Sequence, residues 1–448
     1  MKKFAKIIFC CMLCLVSIFF VACDKRSEKE KNFNYPSNSS SVQGNGGMAV
    51  RVGDYLYFAN GYRNVDDTYQ NESQVVGALM LMKLNDGAII RNNDGLVADE
   101  NYITMFDKLT GFQATDIFVG GDYLYFTTIS QDNEGGKKDA EWAKERVEIY
   151  KVKLDKSSGV ERIYQSQVKY DSVQTKFYYV DGNTYCLVYE KGTSKDDSSV
   201  SNALYRVNGN ENSSKRVDSG LSSIVMAEDY DKTFYTKDNS TDGEYYLKRY
   251  NVVSDRVSDY ETKNVAIEVK AVENGKVFVT YEQHSYTSLF YSTIENSSAF
   301  TLACYNVKDY TIVVSKDATG VVLIKDKNFT FYQLGTTTPI GAVTDSNAES
   351  INYIGQIDGK ILYYSGNDIK TISFSDYLLT SQTEIKTLAT VEDLSVDYFD
   401  IDDEYVYFYK TVGNHEYLHR LQVLNNVDKS VEMVGIYLSE DVPVISEE

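Results

Sequence analysis

The stretch GNHEYLHRLQV, Gly413 to Val423, admits two readings. On a helix, His415 and His419 stand one turn apart on a single face with Glu416 beside them, the arrangement by which HExxH zinc peptidases hold a metal and a general base. On a strand, a rise of about 3.3 Å per residue puts the same histidines roughly 13 Å apart. A zinc–imidazole bond is only about 2.0 to 2.1 Å long, so one ion cannot take both. Leu418, Leu421 and Leu424 would suit the helix; what decides is whether the segment repeats something found elsewhere in the chain.

It does. Tyrosine is frequent (38 residues) and proline scarce (3), and the tyrosines cluster with branched neighbours, which favours strands. GDYLYFAN begins at Gly53, GDYLYFTT at Gly121, DGNTYCLVY at Asp181, DKTFYTKD at Asp231, NGKVFVTY at Asn274, DKNFTFYQ at Asp326, DGKILYYS at Asp358 and DDEYVYFY at Asp402. Each is a turn followed by an aromatic strand, usually preceded by another strand, as in TDIFV or ESINYIGQI: a hairpin signature. A third strand follows in most units, with an apolar residue, any residue, Lys or Arg, then an apolar residue: LMKL (81–84), IYKV (149–152), LYRV (204–207), LKRY (247–250) and LHRL (418–421). A turn such as NDG (85–87) or DKSSG (155–159) leads to a fourth strand, for example VERIYQ (160–165). Units of about 50 residues with four antiparallel strands predict an all-β chain, a β-propeller of about eight blades. The sixth unit is short, which leaves seven as the alternative. In this register HEYLH is a third strand and its match to the zinc motif is accidental.

YFTT (125–128) with IYKVKLDKSSG (149–159) resembles the YWTD blades of the low-density lipoprotein receptor family, in the diverged form of bacterial surface lipoproteins. The Trp and Asp of YWTD are missing. The resemblance implies a propeller and a habit of binding proteins, and carries over no catalytic residue.

The chain opens with Lys2, Lys3 and Lys6, an apolar run and Ala22 before Cys23, which reads as an export signal over 1–22. Phe20-Val21-Ala22-Cys23 resembles the bacterial lipobox, which implies lipidation at Cys23 and a cell-membrane anchor on the extracytoplasmic face. Residues 23–47 are the lipid site and a polar tether too poor in apolar groups to fold, reaching on the order of 27 Å. The propeller domain is then 48–448. Without the signal's three lysines the net charge moves from -20 to -23, which excludes nucleic acid and anionic membrane surfaces as partners. Cys186 and Cys304 lie in apolar strands and read as buried free thiols.

No GxSxG elbow, phosphate loop or paired-cysteine metal pattern occurs. Asp238, Ser240, Asp242 and Gly243 have the spacing of a calcium loop, but its twelfth position is Arg249. Asp-Gly is also common hairpin chemistry, so no cofactor is expected and calcium is the outside candidate. Long segments at 61–77, 130–146 and 283–299 read as loops opening on one face. They carry Tyr62, Arg63, Tyr69, Trp142, His284, Tyr286, Phe290 and Tyr291, types that dominate binding hot spots. The expected function is a membrane-anchored binding module for a protein, peptide or glycan, and not an enzyme. The alternatives are a propeller hydrolase or lyase using channel carboxylates, or an envelope-assembly scaffold. Convergence of several carboxylates at the channel would favour the enzyme.

Overall fold

The computed structural model describes residues 26–36, 39–43, 47–61, 77–107, 109, 116–130, 146–195, 197–229, 231–239, 242–295, 299–380, 382–413, 415–424 and 430–437. Turn chemistry sets the hairpins. Asp181-Gly182, Asn274-Gly275 and Asp358-Gly359 all have positive φ at both positions, the backbone that a two-residue hairpin turn requires. They join Val180 to Asn183, Glu273 to Lys276 and Ile357 to Lys360 in register.

Eight antiparallel sheets follow one another along the chain, each built from four or five strands that are consecutive in sequence except that blade 2 also takes Ser39–Gln43 from before blade 1. Blade 1 holds Ala49–Val52, Tyr55–Ala59 and Leu79–Asn85, with Ala88–Ile89 and Tyr102–Phe106 both pairing the third strand. Blade 2 holds Ile117–Gly121, Tyr123–Ile129, Arg146–Lys153 and Glu161–Lys169; blade 3 Val173–Val180, Asn183–Thr193, Ser201–Asn208 and Ser213–Asp218. Blade 4 holds Leu221–Val225, Thr233–Asn239, Glu244–Asn251 and Arg256–Lys263; blade 5 Ile267–Glu273, Lys276–Gln283, Tyr286–Thr293 and Thr301–Cys304. Blade 6 holds Thr311–Val314, Gly320–Lys325, Asn328–Gln333 and Gly341–Thr344; blade 7 Asn352–Ile357, Lys360–Ser365, Asp368–Ser373 and Ile385–Thr390; blade 8 Leu394–Ile401, Tyr405–Val412, His415–Gln422 and Glu432–Met433.

The core lies between blades. Neighbouring residues of a second strand face opposite ways, and Tyr57 accordingly packs toward blade 2 while Phe58 packs toward blade 8. Each of the seven consecutive blade pairs shares one apolar cluster. An eighth cluster joins Phe58, Met80 and Met82 of blade 1 to Tyr407, Tyr409 and Leu418 of blade 8. The ring therefore closes at eight, and seven is excluded. No blade is shared between the two ends of the chain; polar contacts complete the seam. The Asn60 side chain donates to the Ile436 carbonyl (2.9 Å) and accepts from its N–H (2.6 Å), and the Tyr409 hydroxyl donates to the Ala59 carbonyl (3.0 Å).

The recurring cation of the third strand has a structural role that its spacing alone did not disclose. Arg206 donates to the Val252 carbonyl, Arg249 to Ile294, Lys151 to Gly209 and Arg420 to Gly87, at 2.7 to 3.0 Å. In each case the acceptor lies just beyond the third strand of the next blade. Arg206 and Arg420 also lie over Tyr185 and Tyr405, both at 4.3 Å, where cation–π attraction adds to the clasp.

Three expectations are corrected. The Asp326-Lys327 turn joins the second and third strands of blade 6, not the first and second, which is why that unit looked short. Residues 24–47 do not read as tether throughout. Helix α1 (Glu28–Asn32) is capped reciprocally by Ser27 and Glu30, Phe33 and Tyr35 pack at the junction of blades 1 and 2, and Ser39–Gln43 pairs with Ile117–Gly121 as a fifth, innermost strand of blade 2. Within the segment 283–299, residues 283–293 are not a loop but a tight hairpin and the third strand of blade 5.

Candidate functional site

The first strand of each blade lies toward the axis of the ring, in blade 2 with Ser39–Gln43 added on its axial edge, and polar side chains on or next to these first strands converge there. Asp116 immediately precedes the first strand of blade 2, Lys176 lies within that of blade 3, Glu273 ends that of blade 5, and Asp400 lies near the end of that of blade 8. Glu228 of blade 4 and Lys316 of blade 6 follow their first strands and pair at 3.0 Å. Lys176 feels Glu228, Asp116, Lys316 and Asp400. Blades 3 and 8 are not neighbours in the ring, so only the axis can bring these groups together.

The environment perturbs their protonation. Asp116 and Asp400 keep some accessible surface, yet protein surrounds both carboxyl groups, and burial pushes Asp116 up to about 6 and Asp400 to about 7. Asp400 stays high although it accepts from the N–H groups of Met48 (2.8 Å), Ala49 (3.2 Å) and Ile401 (2.8 Å). Burial likewise raises Glu273 to about 7 and lowers Lys176. Burial also opposes the charge on Lys316, but Glu228 and Glu273 outweigh it and the net shift is upward. Gly47 fits between the two aspartates: its φ is +125°, and a Cβ there would meet the Asp400 carboxylate at 2.3 Å. Perturbed acids beside lysines, drawn one each from six of the eight blades, form an electrostatic constellation of the kind that marks functional sites more often than chance.

Sequence reasoning missed this site because its members are spread over nearly 300 positions without a local motif. The available signal was a charged residue, such as Lys176 or Asp400, in a strand otherwise suited to burial.

The expected contact residues fare unevenly. Tyr62, Arg63, Tyr69 and Trp142 lie outside the described residues, as does Cys23; the segments carrying the first four join second to third strands of blades 1 and 2, as expected. His284 and Ser285, at φ 52° and 70°, form the two-residue turn between Gln283 and Tyr286. His284 and Tyr286 are exposed. Phe290 is corrected to a core residue, stacked on Tyr281 with ring centroids 3.9 Å apart, and Tyr291 packs against Phe278. Asp238 and Asp242 are exposed at the two sides of a hairpin connection, with Asn239 paired to Glu244; Ser240 lies outside the described residues.

HEYLH lies on the third strand of blade 8, as its register predicted. His419 is buried, with Nδ1 2.9 Å from the Tyr417 carbonyl oxygen and Nε2 3.1 Å from the Tyr437 hydroxyl. Burial lowers its pKa to about 4. Cys186 and Cys304 are buried free thiols.

The chain matches no family model and no curated protein sequence. Solved structures do resemble it. The β-propeller domain of the Trilobed protease from Pyrococcus furiosus, which has an open velcro topology, aligns at 13% identity and a TM-score of 0.43, over 69% of this chain and 94% of that one. Pyrococcus horikoshii acylaminoacyl peptidase aligns at 11% identity and 0.42, over 71% of this chain and 51% of the peptidase. TolB from Acinetobacter baumannii aligns at 12% and 0.32, over 64% and 60%. The chain thus spans about half of the peptidase, and the likeness is one of fold. The expectation that the chain is not an enzyme does not stand, since the similar structures include a protease propeller domain and a peptidase, a likeness of fold alone. The fold class stands: the chain is an eight-bladed β-propeller.

Proposed function

We propose that the chain is a lipid-anchored, extracytoplasmic propeller, akin to bacterial surface lipoproteins with YWTD-like blades, that binds a protein, peptide or glycan at the mouth of its central channel. The observation that carries this reading is the convergence of Asp116, Lys176, Glu228, Glu273, Lys316 and Asp400 from six blades on one axis. Charges of both signs in a recess suit a ligand with its own charged and hydrogen-bonding groups. The second-to-third connections of blades 1 and 2, with Tyr62, Arg63, Tyr69 and Trp142, supply a further contact surface. Cys23 would hold the molecule at the membrane.

The test is co-purification from a detergent-solubilised envelope using the full chain. A Lys176→Met/Lys316→Met variant and a variant with 62–76 and 131–145 shortened are run beside the wild type. Loss of a partner in the lysine variant is expected; recovery of the same partners with all three chains would refute the channel reading. Cys23→Ser is expected to release the protein into the soluble fraction, and retention at the membrane would refute the anchor.

A second reading, a hydrolase or lyase acting in the channel, is favoured by the raised acids. A carboxylic acid that holds its proton near neutrality serves as a general acid, and Asp116, Glu273 and Asp400 all qualify.

A further inference from the structure

Away from the channel, a cavity of about 750 Å³ opens between blades 6 and 7. One wall is the outer strand of blade 6, at Ala342 and Val343, and the roof is helix α2 (Phe374–Thr380), inserted between the last two strands of blade 7. Its floor is laid out by the ladder. Lys360 pairs with Ser373, and Thr371 pairs with Lys386. Thr371 and Ser373, two residues apart, share a face, so two lysine–hydroxyl pairs stand side by side across three strands, with directly opposed Cβ atoms about 5 Å apart.

Three features make this floor unusual. Neither Lys360 nor Lys386 is ion-paired among the described residues, whereas Lys370 on the strand between them pairs with Asp345 and Asp368. Thr371 is only 5% exposed, and its hydroxyl has no hydrogen-bond partner, a state that is unfavourable for a buried polar group. Ser373 accepts from the Asp376 N–H at 3.1 Å, which leaves its own proton free to donate. At the rim stand Asp376 and Glu384, both exposed.

We infer that this cavity is a binding site for a small hydroxyl-rich carboxylate, the uronate class of sugar acids. The two ammonium groups take the carboxylate. Ser373 donates to it, and Thr371, after a rotation about χ1 that turns its hydroxyl toward the cavity, gains the partner it lacks. Asp376 and Glu384 accept from the sugar hydroxyls. The volume is that of an ordinary small-ligand pocket. Tyr377 forms a rigid side of the site: it stacks on Phe331 with centroids 4.0 Å apart, and its hydroxyl stands where a Cβ on Gly341 would lie within 1.4 Å. This site is independent of the channel reading and does not require it.

Ligand-observed NMR with the full chain tests the inference, using D-glucuronate, D-glucose and glucose 6-phosphate as probes. Glucuronate is expected to bind and to weaken with added salt, with glucose at least about tenfold weaker. If glucose 6-phosphate binds as tightly as glucuronate, the assignment to a carboxylate is overturned; if glucose does, the role of the lysines is. Lys360→Met/Lys386→Met is expected to weaken glucuronate by about tenfold or more. Thr371→Val keeps the shape and removes the unpartnered hydroxyl, so glucuronate should weaken by about fivefold while the melting temperature holds or rises. A fall in melting temperature with binding unchanged would show a structural hydroxyl and overturn the proposal.

Discussion

Glu273 shows how a single residue reports on the channel. Burial raises its pKa from 4.5 to about 7, so the folded protein binds this proton more tightly than the unfolded chain does. Its contribution to stability is therefore full below the unfolded value and is lost as pH rises through about 7. Glu273→Gln removes the titration. The variant is expected to match the wild type at pH 5 and to exceed it at pH 8 by about 1 kcal/mol, a figure discounted for solvent screening because the group is partly exposed. Urea unfolding at the two pH values checks this; a variant less stable at pH 8 would mean that the carboxylate is held by attraction to Lys316 and Lys176 rather than opposed by burial. His419 acts in the other direction. Its pKa falls to about 4, so its contribution is present above the unfolded value near 6.5 and is lost as pH falls. Comparing each variant with the wild type at one pH cancels that background. Read by residue type alone, His419 suggested a ligand; read by register, it is a side chain of the blade 8 core.

At the scale of the element, the third-strand cation links sequence to assembly. Arg206→Met is expected to cost about 1.5 to 3 kcal/mol, the range for a hydrogen bond to a charged group, because it severs the clasp to Val252 and uncovers Tyr185. Lys83 occupies the equivalent position in LMKL, but it makes no such clasp among the described residues. Lys83→Met should therefore stay within about 0.5 kcal/mol of wild type. Equal losses in thermal unfolding of the two variants would show that the signature serves the strand itself and not the blade interface. The strands were legible because each unit repeats a local rule: turn residues, an aromatic strand, then the cation. HEYLH was placed correctly by the same comparison. What stayed hidden obeys no local rule. The hairpin at His284-Ser285 uses positive φ at two residues without glycine, so it reads as the start of a loop. Helix α1 and Ser39–Gln43 have few apolar side chains of their own, and they owe their order to Phe33 and Tyr35 packing on blades already formed. The channel site needs six blades to be closed before its members meet.

Closure itself is the property of the whole molecule. Seven of the eight interfaces join blades that are consecutive in sequence, so if such an interface parts, the chain keeps its two sides at high effective concentration. The eighth, between blades 8 and 1, is held only by non-covalent contacts, and its two sides are separated by the length of the ring, which raises the entropy of re-closure. The seam should accordingly be where the propeller opens first. Asn60 is fully buried there and spans to Ile436 through two hydrogen bonds. Asn60→Ala leaves the Ile436 N–H and carbonyl without that partner and is expected to cost about 2 to 3 kcal/mol. Hydrogen exchange should then accelerate selectively in Tyr55–Ala59 and Tyr405–Val412. The comparison is Tyr178→Phe, which removes a buried hydrogen bond of 2.7 Å to the Ala227 carbonyl and a long one of 3.5 Å to the Thr233 hydroxyl between blades 3 and 4. That interface is tied by the chain, so the loss should be about 1 kcal/mol with no local opening. If exchange rises evenly around the ring in Asn60→Ala, the seam is no weaker than the other interfaces, and the blades unfold as one cooperative unit. If it rises only at the seam, the Asp400 carboxylate, which holds Met48 and Ala49 across the same junction, couples the state of the channel to the integrity of the ring.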